Sequence, residues 1–173
     1  NYFQLYCSGS NHAVSGLAPN NPAFDSAQGL KVANSTRTGS SRVSFADSAG
    51  GLTCEVPQGW NKTSENSQGM QLTHVATGSS MILGMGGGLG SVDQEIQQMG
   101  SQGKVSSLQD YSVAGLSGKI GNFELTGRGW TRFFLAKRKN LKFNFLLLCK
   151  SPQTLRSLQS DFDKTIASIR SSH

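Results

Sequence analysis

Two hydrophobic periodicities follow one another near the C-terminal end of this chain, and together they restrict its fold more than any other feature. Leu141, Phe143, Phe145, Leu147 and Cys149 recur at every second residue. Leu155, Leu158, Phe162, Ile166 and Ile169 then recur at spacings of three and four. The first pattern is a strand with one face buried, and the second is a helix with one apolar stripe. On the other face of the strand Lys142, Asn144 and Lys150 are polar while Leu146 and Leu148 are not, so it is expected to be covered on both sides toward its end. Ser151 is placed to cap the helix, and Pro152 sits at the favoured first helical position. Upstream, Trp130 to Ala136 reads as a second strand, joined to the first by the turn Lys137-Arg138-Lys139-Asn140. A hairpin followed by an amphipathic helix must bury both apolar surfaces against each other.

The preceding residues supply more strands and one more helix. Val43 and Phe45 begin an alternation, and after a Gly50-Gly51 turn Leu52, Cys54 and Val56 continue it. Pro57-Gln58-Gly59-Trp60 stops that strand, since proline has no ladder donor and glycine permits the turn. Further strands are expected at Met70 to Val75 and Ser80 to Gly84, with Thr77-Gly78-Ser79 turning between them. Ser91, with Gln94 three residues on, has capping-box spacing, and Val92, Ile96 and Met99 form a short stripe ended by Gly100 and Gly103. Tyr111 to Leu116 and Phe123 to Thr126 read as another strand pair. The expected class is α+β: a mainly antiparallel sheet with a helix on each face or both on one.

The chain of 173 residues is long enough for one domain with a real core. We expect that domain at 45–171. Residues 5–44 are rich in turn formers and poor in periodicity, which suits a tail or linker with a short ordered piece at Phe24 to Val32. Residues 1–4, Asn-Tyr-Phe-Gln, look like the remnant of a cleavable tag. Cys7-Ser8-Gly9-Ser10-Asn11 suits the start of a processed lipoprotein, although Leu5-Tyr6 does not match the small residues that normally precede a lipidated cysteine. The charged fraction is only 15% and glycine reaches 21 residues, a balance that suits an exported protein or one carrying a flexible tail. Three cysteines, Cys7, Cys54 and Cys149, are too few for a disulfide framework. Cys54 and Cys149 fall at apolar strand positions, where buried thiols and a disulfide are both open. No run of about 18 apolar residues exists.

Three stretches resemble a known group. Gly51-Leu52-Thr53-Cys54-Glu55-Val56-Pro57-Gln58-Gly59-Trp60 is similar to the "apolar strand, Pro-x-Gly-Trp" opening of Mog1/PsbP-like domains. Val113-Ala114-Gly115-Leu116 resembles their "Val-x-Gly-apolar" segment, and Phe162 to Arg170 resembles their closing helix with its Ser-apolar-Arg ending. The resemblance spans about residues 43–170 and implies an α/β/α sandwich. The group includes extrinsic photosystem subunits, a nuclear-transport factor that binds a small GTPase, DcrB-like envelope lipoproteins and chaperones of secretion-system effectors. What it implies for function is a binding or accessory module rather than an enzyme, with the bacterial envelope subgroup preferred.

No catalytic, metal or cofactor constellation is apparent from the residues themselves. The glycines from Gly84 to Gly90 precede a helix N-terminus, where phosphate can bind, but complete neither G-x-G-x-x-G nor a P-loop. His12, His74 and His173 do not cluster, and the carboxylates make no spaced acid/base pair. The strongest compositional signal is basic. Arg128, Arg132, Lys137, Arg138, Lys139, Lys142, Lys150 and Arg156 lie in a stretch without any acid. The first six are the candidate partner-binding residues, and Cys7 is the candidate lipidation site. The cations either keep the hairpin edge soluble and guard it from aggregation or meet an acidic protein partner or an anionic membrane surface. Nucleic acid is disfavoured, because Phe143 and Phe145 share the apolar face of their strand and are not free to stack on bases. The alternative is a small-molecule or nucleic-acid binder using the sheet face and the basic hairpin.

Overall fold

The hairpin predicted near the C-terminus lies at the centre of the main sheet. In a computed structural model that describes residues 39–46, 50–86 and 90–172, β8 (Gly129–Arg138) and β9 (Leu141–Cys149) pair antiparallel from Trp130↔Cys149 to Arg138↔Leu141. The turn is Lys139-Asn140 alone, shorter than expected, and Lys139 takes the positive φ of 56° that a two-residue hairpin turn requires. All described residues belong to one unit, Gly39–His173. The readings for residues 1–4, for the tail up to residue 38 with its piece at Phe24 to Val32, and for Cys7 lie outside the described residues.

Around this hairpin a seven-stranded, fully antiparallel sheet runs in the order β3-β4-β5-β9-β8-β7-β6. Its other strands are β3 (Trp60–Asn66), β4 (Gly69–His74), β5 (Ser80–Met85), β6 (Lys104–Val113) and β7 (Leu116–Leu125). A second sheet of three strands has β2 (Leu52–Val56) between β1 (Ser41–Phe45) and β10 (Arg170–Ser171). The two helices are α1 (Val92–Gln102) and α2 (Pro152–Ala167). β1 thus starts inside the stretch read as tail to residue 44.

Strand alternation assigns each side chain to a layer. Phe134, Phe143, Phe145, Leu147, Met81, Leu83 and Leu72 point to one face and pack with Leu155, Leu158, Phe162 and Ile166 of α2 and with Phe45, Leu52, Cys54 and Val56 of the small sheet. Phe134, Phe143 and Phe145 stack in series, and Phe45 meets Phe145 edge-on at 5.9 Å between ring centroids. Phe133, Leu135, Phe123 and Leu146 point to the opposite face, where α1 lies. The helices therefore take one face each, and β9 is apolar on both sides, as Leu146 and Leu148 suggested.

Three sequence readings are corrected. Tyr111 to Leu116 is not one strand. Ala114 and Gly115 have φ of 50° and 77°, a left-handed pair that folds β6 back onto β7. Trp60 does not close the strand segment before it but opens β3, a polar edge strand (WNKTSEN) whose residues after Trp60 are all exposed, so it has no hydrophobic alternation to detect. The same holds for most of β6 at the opposite edge. Gly100 does not end α1, which continues to Gln102 and is closed by Gly103, whose N–H donates to the Met99 carbonyl at 3.0 Å. Cys54 and Cys149 are both buried free thiols, which settles the open alternative.

Candidate functional site at the basic hairpin

The six candidate cations fall on one hairpin and its entry turn, but strand geometry disperses them. Arg128 lies in the turn before β8, and the ten residues of β8 separate it from Lys139 by about 33 Å at the usual strand rise. Arg132 points to the α2 face, where its Nε and Nη2 donate to both oxygens of Asp163, the latter at 3.0 Å, while Nη1 donates to Asn122 at 3.0 Å. Lys142 points the other way. Its ammonium lies 2.6 Å from Glu95 Oε2 on α1, its side chain is 9% exposed, and Asn144 also donates to Glu95. Arg132 and Lys142 thus each pin a helix to the sheet, one on either face. The absence of acids around them in sequence is made good by the helices, which bring Glu95 and Asp163.

Lys137, Arg138 and Lys139 remain together at the tip. None forms an ion pair among the described residues. Lys137 faces the α1 side, Arg138 the α2 side, and Lys139 occupies the turn. Arg138 is only partly exposed. Its guanidinium lies over the left-handed turn, with Nε 3.8 Å from where a Cβ at Gly115 would sit, and Nη2 donates to Ser171 Oγ of β10. Its Nη1 is buried and has no acceptor among the described residues. Leaving such a donor unfilled costs about 1–3 kcal/mol. Directly across the strand pair on the same face is Leu141, 38% exposed. Lys119, next along the α1 side, is already neutralised: Asp110 lies 2.7 Å from its ammonium and Asp93 4.0 Å away, and the Asp110 hydrogen bond and charge raise its pKa.

The other sequence candidates have structural roles. Gly86 packs so tightly on Asn144 that an added Cβ would collide with the Asn144 side-chain amide. The N-terminus of α1 is closed by its own capping box, Ser91 Oγ accepting from Gln94 N–H and Gln94 Oε1 from Ser91 N–H. Gly86 and the start of α1 thus have structural roles, while residues 87–89 of the stretch lie outside the described residues. His74 packs against Trp60 with ring centroids 5.0 Å apart and planes tilted by 54°, and pairs with the Thr77 hydroxyl. Burial, and secondarily the Glu55 charge, pushes the Cys54 thiol up to about 12; burial also raises Cys149, against a hydrogen bond with Ser79. Among the described residues no three His, Cys, Asp or Glu side chains gather as metal ligands, and no helix is long and apolar enough to cross a membrane. Phe133, Phe134, Phe143 and Phe145, interleaved with the cations in sequence, are fully buried.

The sequence reading did not single out Ser171, and it took Ala114-Gly115, within a segment that carries the family resemblance, as strand rather than as a turn beside the Arg138 side chain. Their signal was present only as the dipeptide Ala-Gly between alternating segments, because β10 is two residues long and has no pattern of its own.

No family model and no curated protein matches this sequence. Among solved structures it is similar to the solution structure of cyanobacterial PsbP (CyanoP) from Synechocystis sp. PCC 6803, with a TM-score of 0.50 and 14% identity over 86% of this chain and 98% of that one. At that identity the likeness concerns the fold alone: a PsbP-like α+β fold, mostly antiparallel sheet with two helices.

Proposed function

We propose that this domain is a non-catalytic accessory protein of the bacterial cell envelope that docks onto an anionic partner surface through the tip of the β8–β9 hairpin. One observation carries this reading: Lys137, Arg138 and Lys139 stand together without carboxylate partners among the described residues, whereas Arg132 and Lys142, on the same hairpin, are each neutralised by an acid. Unpaired cations at the end of a rigid sheet attract an acidic surface and orient the encounter. The Mog1/PsbP-like resemblance supports an accessory rather than a catalytic role. The DcrB-like subgroup, export to the periplasm and lipid attachment at Cys7 belong to the same proposal and rest on the small polar residues that follow Cys7.

The exposed Leu141 beside these cations favours a second reading, in which the surface is an anionic membrane. There an apolar side chain enters the interface and each neighbouring cation adds about 1 kcal/mol. Charge reversal of Lys137, Arg138 and Lys139 to Glu tests both readings. It is expected to abolish binding to acidic peptides, or to vesicles containing phosphatidylglycerol, at unchanged melting temperature. Equal binding by wild type and the triple variant would remove the tip from the function. For the small-molecule or nucleic-acid alternative, titration with single-stranded oligonucleotides at two salt concentrations is decisive, with salt-independent behaviour excluding a phosphate-driven contact.

A further inference from the structure

Among the described residues, partly enclosed Lys and Arg side chains have carboxylate partners, with one exception at the tip. Arg132 has Asp163 and Lys142 has Glu95. Arg138, held between the Ala114-Gly115 turn and β10, has a serine hydroxyl on one nitrogen and, among the described residues, no acceptor on another. Resting on the docking reading above, we infer that Arg138 and Leu141 form a two-part recognition site for an acidic protein segment, Arg138 receiving an Asp or Glu carboxylate and Leu141 an adjacent apolar side chain.

The chemistry of the pair selects this occupant. A guanidinium presents two parallel N–H groups that match the two oxygens of a carboxylate. Rotation of the outer torsions of Arg138 would exchange the single Ser171 contact and the acceptorless nitrogen for that two-point contact. The turn beneath is bare at Gly115 and leaves the guanidinium plane uncovered by any side chain there. Arg138 and Leu141 are register partners with side chains on the same face, so a charged and an apolar contact sit side by side at a fixed separation. Lys139 in the turn adds attraction without direction. A dispersed anionic surface would draw equally on Lys137 and Lys139, whereas an acidic segment with a neighbouring apolar residue draws on the Arg138–Leu141 pair.

The test uses an acetylated peptide of alternating glutamate and leucine, a glutamate-only peptide of equal charge, and phosphatidylglycerol vesicles, each titrated against the intact chain. The Arg138 Nε–H resonance in wild type is expected to shift with the Glu-Leu peptide. Arg138→Gln should weaken that peptide about tenfold, the equivalent of one charge-assisted contact, and Arg138→Lys should not restore it. Leu141→Ser should weaken the Glu-Leu peptide and leave the glutamate-only peptide unchanged. Lys139→Ala should act on both peptides equally and be suppressed by salt. Binding unaffected by Arg138→Gln but lost on charge reversal of the whole tip would overturn the Arg138 site and leave the docking reading standing. Binding to vesicles without binding to either peptide would overturn the acidic-segment partner in favour of the membrane. Binding to neither would end both the site and the reading it rests on. Because the wild-type resonance is a direct readout, the outcome holds even if a variant fails to fold.

Discussion

Lys142 and Glu95 allow a test of which cations on the hairpin hold the fold and which are available to a partner. Their side chains are 9% and 18% exposed, and they join β9 to α1 across 2.6 Å. Removing one member of such a pair leaves the other charge enclosed and unpaired, a loss of about 3–5 kcal/mol for a fully buried pair. With Glu95 retaining some solvent contact, the lower end applies, about 3 kcal/mol for either Glu95→Gln or Lys142→Met. For a domain of this size that lowers the melting temperature by about 10 °C. The double replacement Glu95→Gln with Lys142→Met removes both charges, nearly keeps the volume and leaves Asn144 an acceptor, so most of the loss should be recovered. Urea and thermal denaturation followed by circular dichroism complete the double-mutant cycle. Single variants that each fall within about 0.5 kcal/mol of wild type would mean that the pair behaves as an exposed one, and the separation of Lys142 from the docking tip would then fail. Docking measured well below the melting temperature should be the same for the double variant and wild type.

Further predictions concern the parts of the fold that present the tip. Cys54 has its thiol pKa raised from 9.0 to about 12, so the folded state keeps a proton that the unfolded chain releases; stability is full below about pH 9 and falls by about 1.4 kcal/mol per pH unit between the two values. Cys54→Ala should flatten that alkaline decline in urea titrations at successive pH values, and an unchanged slope would refute the assignment. Trp60 donates from Nε1 to Asp161 Oδ2 at 3.0 Å, tying the start of β3 to α2. Trp60→Phe should cost about 1.5–3 kcal/mol, with little further loss on adding Asp161→Asn, as read from a denaturation cycle. Gly115→Val places a β-branched residue at φ 77° and should destabilise the β6–β7 turn by about 1–2 kcal/mol, visible as faster amide exchange around Val113 and Leu116.

What the sequence disclosed about the fold followed burial. β9 and α2 were readable because Phe145, Leu147, Phe162 and Ile166 are enclosed and recur at the period of their element. Both caps were readable because Ser91 and Ser151 satisfy backbone N–H groups within three residues of themselves. β3 and much of β6 were not, because edge strands carry exposed polar residues and owe their conformation to ladder bonds with a neighbour rather than to a pattern of their own. The Ala114-Gly115 turn was read as strand because Val113 and Leu116 are apolar on either side of it, and only the positive φ of both turn residues marks the reversal.

The candidate site obeyed a different logic, because charge acts through space while sequence lists it along a line. Eight cations in an acid-free stretch suggested one patch. Alternation along β8 and β9 turned Arg132 and Lys142 to opposite faces, and α1 and α2 met them with Glu95 and Asp163 from distant parts of the chain. The residues that carry the family resemblance proved equally structural. Trp60 anchors to Asp161, Ser168 Oγ accepts the Glu55 N–H at 2.7 Å, Ile169 is fully buried, and Arg170 donates to the carbonyls of Ala167 and Ile169. These residues close α2 and β10 over the sheet, and of the segments that carry the resemblance the Ala114-Gly115 turn also lies beneath Arg138 at the β8–β9 tip. Under the docking reading proposed above, substitutions at the exposed Lys137, Lys139 and Leu141 alter the surface that the tip presents and leave the core intact, since none of the three packs into it.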